Sequence, residues 1–122
     1  MPISQKIKPI LVYTTYPSLP QAQEMAILLL QKRLAAGTNI FSGVQSLFWW
    51  NQHVTTSEES ILIIKTTNAC FAEVEKTILS THPYTCPCIL QIDISNGYAP
   101  FLDWIRTETT PENTISQKDT SL

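Results

Sequence analysis

Glycine is scarce in this chain. The three that occur, Gly37, Gly43 and Gly97, are isolated, so there is no Gly-rich phosphate loop. A Gly-x-Ser-x-Gly elbow and a His-Glu-x-x-His zinc helix are also missing. Positive charge is scarce as well. Eight Lys and Arg against ten Asp and Glu leave a net charge of −2, which offers no basic footprint for nucleic acid. Nowhere do about 18 apolar residues run together as a transmembrane helix needs, and Met1 to Lys8 holds no apolar stretch long enough for a signal peptide. A soluble protein with no membrane partner is the expectation. The three cysteines, Cys70, Cys86 and Cys88, are an odd count without a secretory signal. That argues against a disulfide framework and for a reducing compartment.

What is present is enough for one core. At 122 residues, 13.8 kDa and 43% hydrophobic content the chain fits a single domain, expected over residues 1–108. Its organising stretch runs from Asn39 to Thr67, two apolar segments joined through Trp49-Trp50-Asn51-Gln52-His53. From Val44 to Trp50 the residues alternate, with Val44, Ser46, Phe48 and Trp50 on one side and Gln45, Leu47 and Trp49 on the other, the period of a strand. The return segment ends in Ser60-Ile61-Leu62-Ile63-Ile64-Lys65-Thr66-Thr67, an apolar run that reads as a central strand covered on both faces. Each tryptophan buries roughly 150–250 Å² when covered, and a chain this small has too little core for adjacent indoles on opposite faces. The hairpin is therefore expected to build both the core and an interface between copies, through Phe48, Trp49, Trp50, Ile61 and Ile63.

The flanking elements follow from pattern. Pro9 to Thr15 is a β-branched and aromatic strand. Ser18-Leu19-Pro20-Gln21 has the form of a capping box, and Ala22, Met25, Ala26, Leu29 and Leu30 give the next helix its apolar face, with Gly37 expected to stop it. The Ser42-Gly43 interruption marks a bulge or bend. Asn68 suits an N-cap for a second helix with Phe71, Val74 and Ile78 turned inward, ended by Pro83. Cys88 to Ile94 alternates as another strand. Asn96-Gly97 turns the chain into a short amphipathic helix, with Pro100 near its start and Phe101, Leu102, Trp104 and Ile105 as its apolar residues. Residues 109–122, poor in apolar content, are expected to be a flexible tail. The order β-α-β-β-α-β plus a terminal helix is that of the α+β ferredoxin-like sandwich, with both helices on one face of an antiparallel sheet and self-association covering the other.

Landmarks along residues 10–106 resemble one family. Leu34-Ala35-Ala36 with Asn39-Ile40, Gly43-Val44 running to Phe48-Trp49-Trp50, Ile64-Lys65-Thr66-Thr67, His82-Pro83-Tyr84, Pro87, and Tyr98 with Phe101-Leu102-Asp103-Trp104 are together similar to the CutA divalent-cation tolerance family. The resemblance implies a cytoplasmic ferredoxin-like subunit that forms a homotrimer through its long hairpin. It implies a role in tolerance of copper and other divalent ions, with no established reaction and no organic cofactor. The alternative it leaves open is a PII-like signalling or scaffold trimer that binds a small effector between subunits, with Lys65 and Tyr84 as cleft residues.

The metal positions depart from the family's pattern. Members credited with copper binding carry a cysteine near the end of the first strand and histidines before the Pro-Tyr, where this chain has Thr14, Thr81 and His82. Gly37, Thr85 and Cys88 stand where the family often has a cysteine and two acidic residues. Cys86 and Cys88, two apart on an extended segment, share a side, and their soft thiolates suit Cu(I) or Zn better than Mg or Ca. His82, Cys86 and Cys88 are thus the candidate metal ligands, one short of a structural zinc set, with Cu(I) preferred and the metal ion the expected small partner. Each residue has an ordinary competing role. His82 can simply end a helix, Cys86 and Cys88 can be small buried groups, Cys70 reads as core, and His53 as an exposed turn residue. Lys65 can snorkel to water or present its ammonium to an anion. A Cys-His dyad with His82 has neither an oxyanion device nor an orienting carboxylate, which argues against an enzyme.

Overall fold

A computed structural model of the protein describes residues 7–110. Its elements in chain order are β1 (Pro9–Tyr16), α1 (Leu19–Gln31), β2 (Gly37–Trp50), β3 (His53–Thr67), α2 (Phe71–Thr81), β4 (Ile89–Asp93) and α3 (Ala99–Glu108). The four strands form one antiparallel sheet in the order β2-β3-β1-β4. This is the ferredoxin-like α+β arrangement, with β3 and β1 central, where the apolar run of β3 had placed it.

The side-chain parity of the strands gives the sheet two unlike faces. Ile10, Val12, Leu62 and Ile64 point to the face covered by α1 and α2, and close against Ala22, Met25, Ala26, Leu29, Val74 and Ile78. Leu62, Ile64, Val12, Leu29, Val74 and Ile78 have no accessible surface. Each such side chain contributes on the order of 1.5–3 kcal/mol by leaving water. Register partners share a face, so Tyr13 with Ile63 and Leu90, and Leu11 with Lys65 and Ile92, lie on the other. Helix α3 crosses one end of that second face, where Trp104 approaches Gly37 closely enough that a Cβ there would lie 3.2 Å from its ring. The rest of the second face stays open.

Local chemistry explains the ends of the elements. Ser18 Oγ accepts the Gln21 N–H at 3.4 Å and donates to Gln21 Oε1 at 2.9 Å, a side-chain closure where a capping box would send Gln21 to the Ser18 N–H. Helix α1 ends at Gln31, six residues before Gly37. Arg33, at φ 60°, takes the left-handed position expected of that glycine and is tied down by its ion pair to Glu108 at 2.7 Å. Leu30 is 37% exposed, because at 100° per residue position i+8 has drifted well off the centre of the face that Ala22 begins. Helix α2 is entered through a 3-10 turn, Asn68–Cys70, and Asn68 Oδ1 also accepts the Lys8 N–H at 2.8 Å. Strand β4 begins at Ile89 and stops at Asp93, one residue inside the expected span at each end. Of the stretch read as tail, Thr109 and Thr110 are buried, the Thr110 N–H donating to the Arg33 carbonyl at 2.8 Å. Residues 111–122 lie outside the described residues.

The β2–β3 hairpin is the longest feature. Pairing runs from Gly37–Lys65 out to Trp50–His53, with a register shift between Phe41 and Val44, so the Ser42-Gly43 bulge is where the pattern put it. Asn51 and Gln52 make the tip, both with positive φ, 50° and 66°. A type I′ two-residue loop demands that conformation, and its twist matches that of the strands.

Candidate functional site

The outer half of the hairpin projects as an arm with apolar groups on both sides. Phe48 and Trp50 pair across from Thr55 and His53, while Leu47 and Trp49 pair across from Thr56 and Val54. In the subunit Trp49 is 74% exposed and Leu47 63%, so the outward indole noted in the sequence has no cover within its own chain. The open sheet face continues the Phe48 and Trp50 side of the arm through Phe41, Ile61, Ile63, Leu90 and Ile92, of which Phe41, Leu90 and Ile92 are also exposed. Contiguous apolar surface on this scale marks an interaction site.

A cleft of about 550 Å³ opens where the root of the arm meets the loop after α2. Phe48, Trp50 and Glu59 line one wall and Tyr84, Cys86 and Cys88 the other. Pro83 ends α2 and His82 leaves it in extended conformation, which carries the loop beneath the arm. Tyr84 donates its hydroxyl to Glu59 Oε2 at 2.7 Å. Burial, and then the hydrogen bond to Glu59 and its charge, push the Tyr84 hydroxyl well above the usual tyrosine range. Burial followed by the charges of Glu59 and Cys86 pushes the Cys88 thiol up. Burial, Cys88 and Glu59 do the same to Tyr13. Glu59 is 8% exposed and is the electrostatic centre of the cleft. The sequence reading passed over it, although parity along β3 puts Glu59 on the same face as Ile61, Ile63 and Lys65.

The structure separates the candidate metal ligands. His82 Nε2 donates to the Thr15 carbonyl at 2.8 Å, and its Nδ1 accepts the Tyr84 N–H at 3.1 Å. The ring stacks on Tyr16 with centroids 4.4 Å apart. Both nitrogens are committed, so the imidazole has no lone pair to give a metal without breaking a bond that holds the loop. Among the described residues no group of three His, Cys, Asp or Glu side chains is placed to hold an ion. His82 with Cys86 and Cys88 is thus not a three-ligand centre within the subunit, and a tetrahedral zinc-type site does not fit here. Cys86 is exposed, Cys88 half-buried, and both are free thiols in the same cleft. Cys70 is fully buried in the core. His53 is exposed at the arm's tip.

Lys65 is elsewhere. Its Nζ donates to Asn39 Oδ1, and it borders a separate apolar hollow of about 470 Å³ against α3, with Tyr98 and Phe101. Within one subunit, therefore, Lys65 and Tyr84 do not share a cleft.

The profile of one protein family, described as CutA1 divalent ion tolerance protein, matches residues 10–108. The divalent-cation tolerance protein CutA of Archaeoglobus fulgidus is 45% identical over 77% of this chain and 91% of its own length. Among solved structures, a periplasmic divalent cation tolerance protein CutA from Archaeoglobus fulgidus superposes with a TM-score of 0.79 at 42% identity, over 82% of this chain and 97% of that one. The Thermus thermophilus divalent cation tolerance protein superposes with a TM-score of 0.81 at 35% identity, over 84% and 99%. That Archaeoglobus fulgidus protein is periplasmic, whereas the expectation drawn for this sequence is cytoplasmic. No helix among the described residues is long and apolar enough to cross a membrane.

Proposed function

The chain belongs to the CutA1 divalent ion tolerance family, and from that membership we propose that it serves divalent-cation tolerance, copper included, as a cytoplasmic homotrimer. Its ions are met in the cleft at the root of the arm. The observation that carries this reading is the uncovered apolar surface that runs from Leu90 and Ile92 across Ile61 and Ile63 to Phe48 and Trp50, with Trp49 bare on the opposite side of the arm. A second copy supplies its natural cover, because an arm that is apolar on both sides can grip a neighbour while the neighbour's arm grips in turn. The cleft is lined by a carboxylate and two thiols and by no Lys or Arg, a lining that suits a cation. A phosphorylated effector needs a cationic donor, and Lys65 borders the other hollow, so the metal-handling reading is favoured over the PII-like one.

Sedimentation equilibrium tests the assembly. The expected mass is about 41 kDa, three times the 13.8 kDa subunit, with no monomer at micromolar concentration. A monomer that persists independently of concentration overturns the trimer. Calorimetric titration of the reduced protein with copper, zinc and nucleotides tests the ligand: heat with nucleotide and none with metal would favour the effector reading instead.

A further inference from the structure

We propose that Cys86 and Cys88 form a two-thiolate capture site for Cu(I) on the wall of the arm-root cleft. The inference rests on the reading of that cleft as the place where ions are met, and it goes further by naming the ion's charge state and both ligands. Two residues apart on either side of Pro87, the cysteines face the same cleft, and the proline ring restricts the backbone between them, so the pair is held in advance of the ion. One thiol is exposed and the other half-buried, which provides an entry path and a partly dry seat.

Ligand count selects the ion. His82 is committed through both nitrogens, and no third His, Cys, Asp or Glu completes a set among the described residues. Zinc, which wants four ligands, and the hard oxygen-seeking ions are poorly served. Cu(I) is soft, prefers sulfur, and has a filled d shell that accepts two ligands in line. Binding exchanges each S–H bond for an S–Cu bond and releases two protons to water, with no change in oxidation state. Glu59 is a hard oxygen donor that soft Cu(I) does not favour, and its Oε2 already accepts the Tyr84 hydroxyl. Trp50 and Phe48 give the facing wall of the cleft an apolar lining.

The test is a competition titration of the reduced, anaerobic protein with Cu(I) held by bicinchoninate. It is run on the wild type, C86S, C88S, the double variant and C70A, with each sample also sedimented. The wild type should take one equivalent per subunit, with two sulfur neighbours by X-ray absorption. Either single serine variant should weaken uptake, the double variant should lose it, and C70A should keep it. The double variant should sediment as the wild type does, so failure of the site and failure of the assembly are read separately. Cu(I) left on the chelator by the wild type, an equivalent retained by the double variant, or Zn bound as tightly as Cu(I) overturns the proposal.

Discussion

The two faces of one sheet are built to different standards of completion. On the face under α1 and α2, Val12, Leu62 and Ile64 are wholly excluded from solvent. On the other, Leu90 is 53% exposed, Phe41 55% and, out on the arm, Trp50 48%. The alternation along β3 is equally apolar on both faces through Ile61-Leu62-Ile63-Ile64, so hydrophobicity alone does not separate them. Cover does: the chain spends two helices on one face and a short third on one end of the other. The first face is finished by the fold, and the second is left uncovered in the subunit.

The largest expected effect probes the arm, where no part of the subunit covers Trp49. On the trimer reading Trp49→Ala should cost on the order of 3–5 kcal/mol, the range for truncating a packed tryptophan. The loss should appear as weaker assembly that grows on dilution. Unchanged sedimentation and melting would show that the indole simply stands in water. On the finished side Leu62→Ala should cost about 2–5 kcal/mol, seen as a lower denaturant midpoint. Its neighbour Ile63, on the open face, should respond differently. Ile63→Asp should leave the fold's circular dichroism intact while shifting sedimentation toward monomer. If both substitutions act on the same observable, the contrast between the faces is not real.

Much of this division was legible in residue patterns. The period-2 run from Val44 to Trp50, the Ser42-Gly43 interruption and the stop at Pro83 each follow from backbone sterics that act locally, and each stands where expected. Misses occurred where a distant partner decides. Arg33 replaces Gly37 as the left-handed end of α1, with its guanidinium held by Glu108, 75 positions away. His82 does end α2, as its C-cap, but its ring also bridges Thr15 and Tyr84 through bonds that no spacing reveals. Glu59 carries no signal in the residue pattern; it matters because the loop after α2 brings Tyr84 to donate to it.

A smaller effect distinguishes satisfied from unsatisfied burial on the finished side. Tyr16 is 2% exposed, and its hydroxyl has no hydrogen-bond partner among the described residues. An unpaired buried hydroxyl costs about 1–3 kcal/mol, so Tyr16→Phe should be neutral or stabilising. Burial also pushes its ionisation up to about 12. The folded state then holds its proton where the unfolded chain, near 10, gives it up. The stability linked to this group is full below pH 10 and is lost as pH climbs through 12. Tyr13 and Tyr84 are shifted the same way, so the alkaline loss should shrink in Tyr16→Phe without vanishing. An unaltered alkaline melting profile in the variant would remove Tyr16 from the account.

The smallest effect sits at the joint between the two regions. Gly43, at φ 69°, occupies the bulge where the register of β2 shifts and the arm departs from the sheet. A Cβ there would meet no heavy atom nearer than Glu58 Oε2, at 3.8 Å. Crowding therefore does not forbid a side chain, and the penalty comes from the backbone, where an L-residue in the left-handed region costs about 1–2 kcal/mol. Gly43→Ala should lower stability by about that amount, and Gly43→Asn by less, because asparagine tolerates the region better than alanine. Space cannot explain that ranking, since asparagine is the larger residue. If the bulge also aims the arm at its neighbour, the alanine variant should sediment with a larger share of dissociated subunits than its loss of fold stability alone produces, and the asparagine variant should not. Equal melting and equal sedimentation for all three proteins would show that the bulge can relax to ordinary strand geometry, and that the arm's direction does not depend on Gly43.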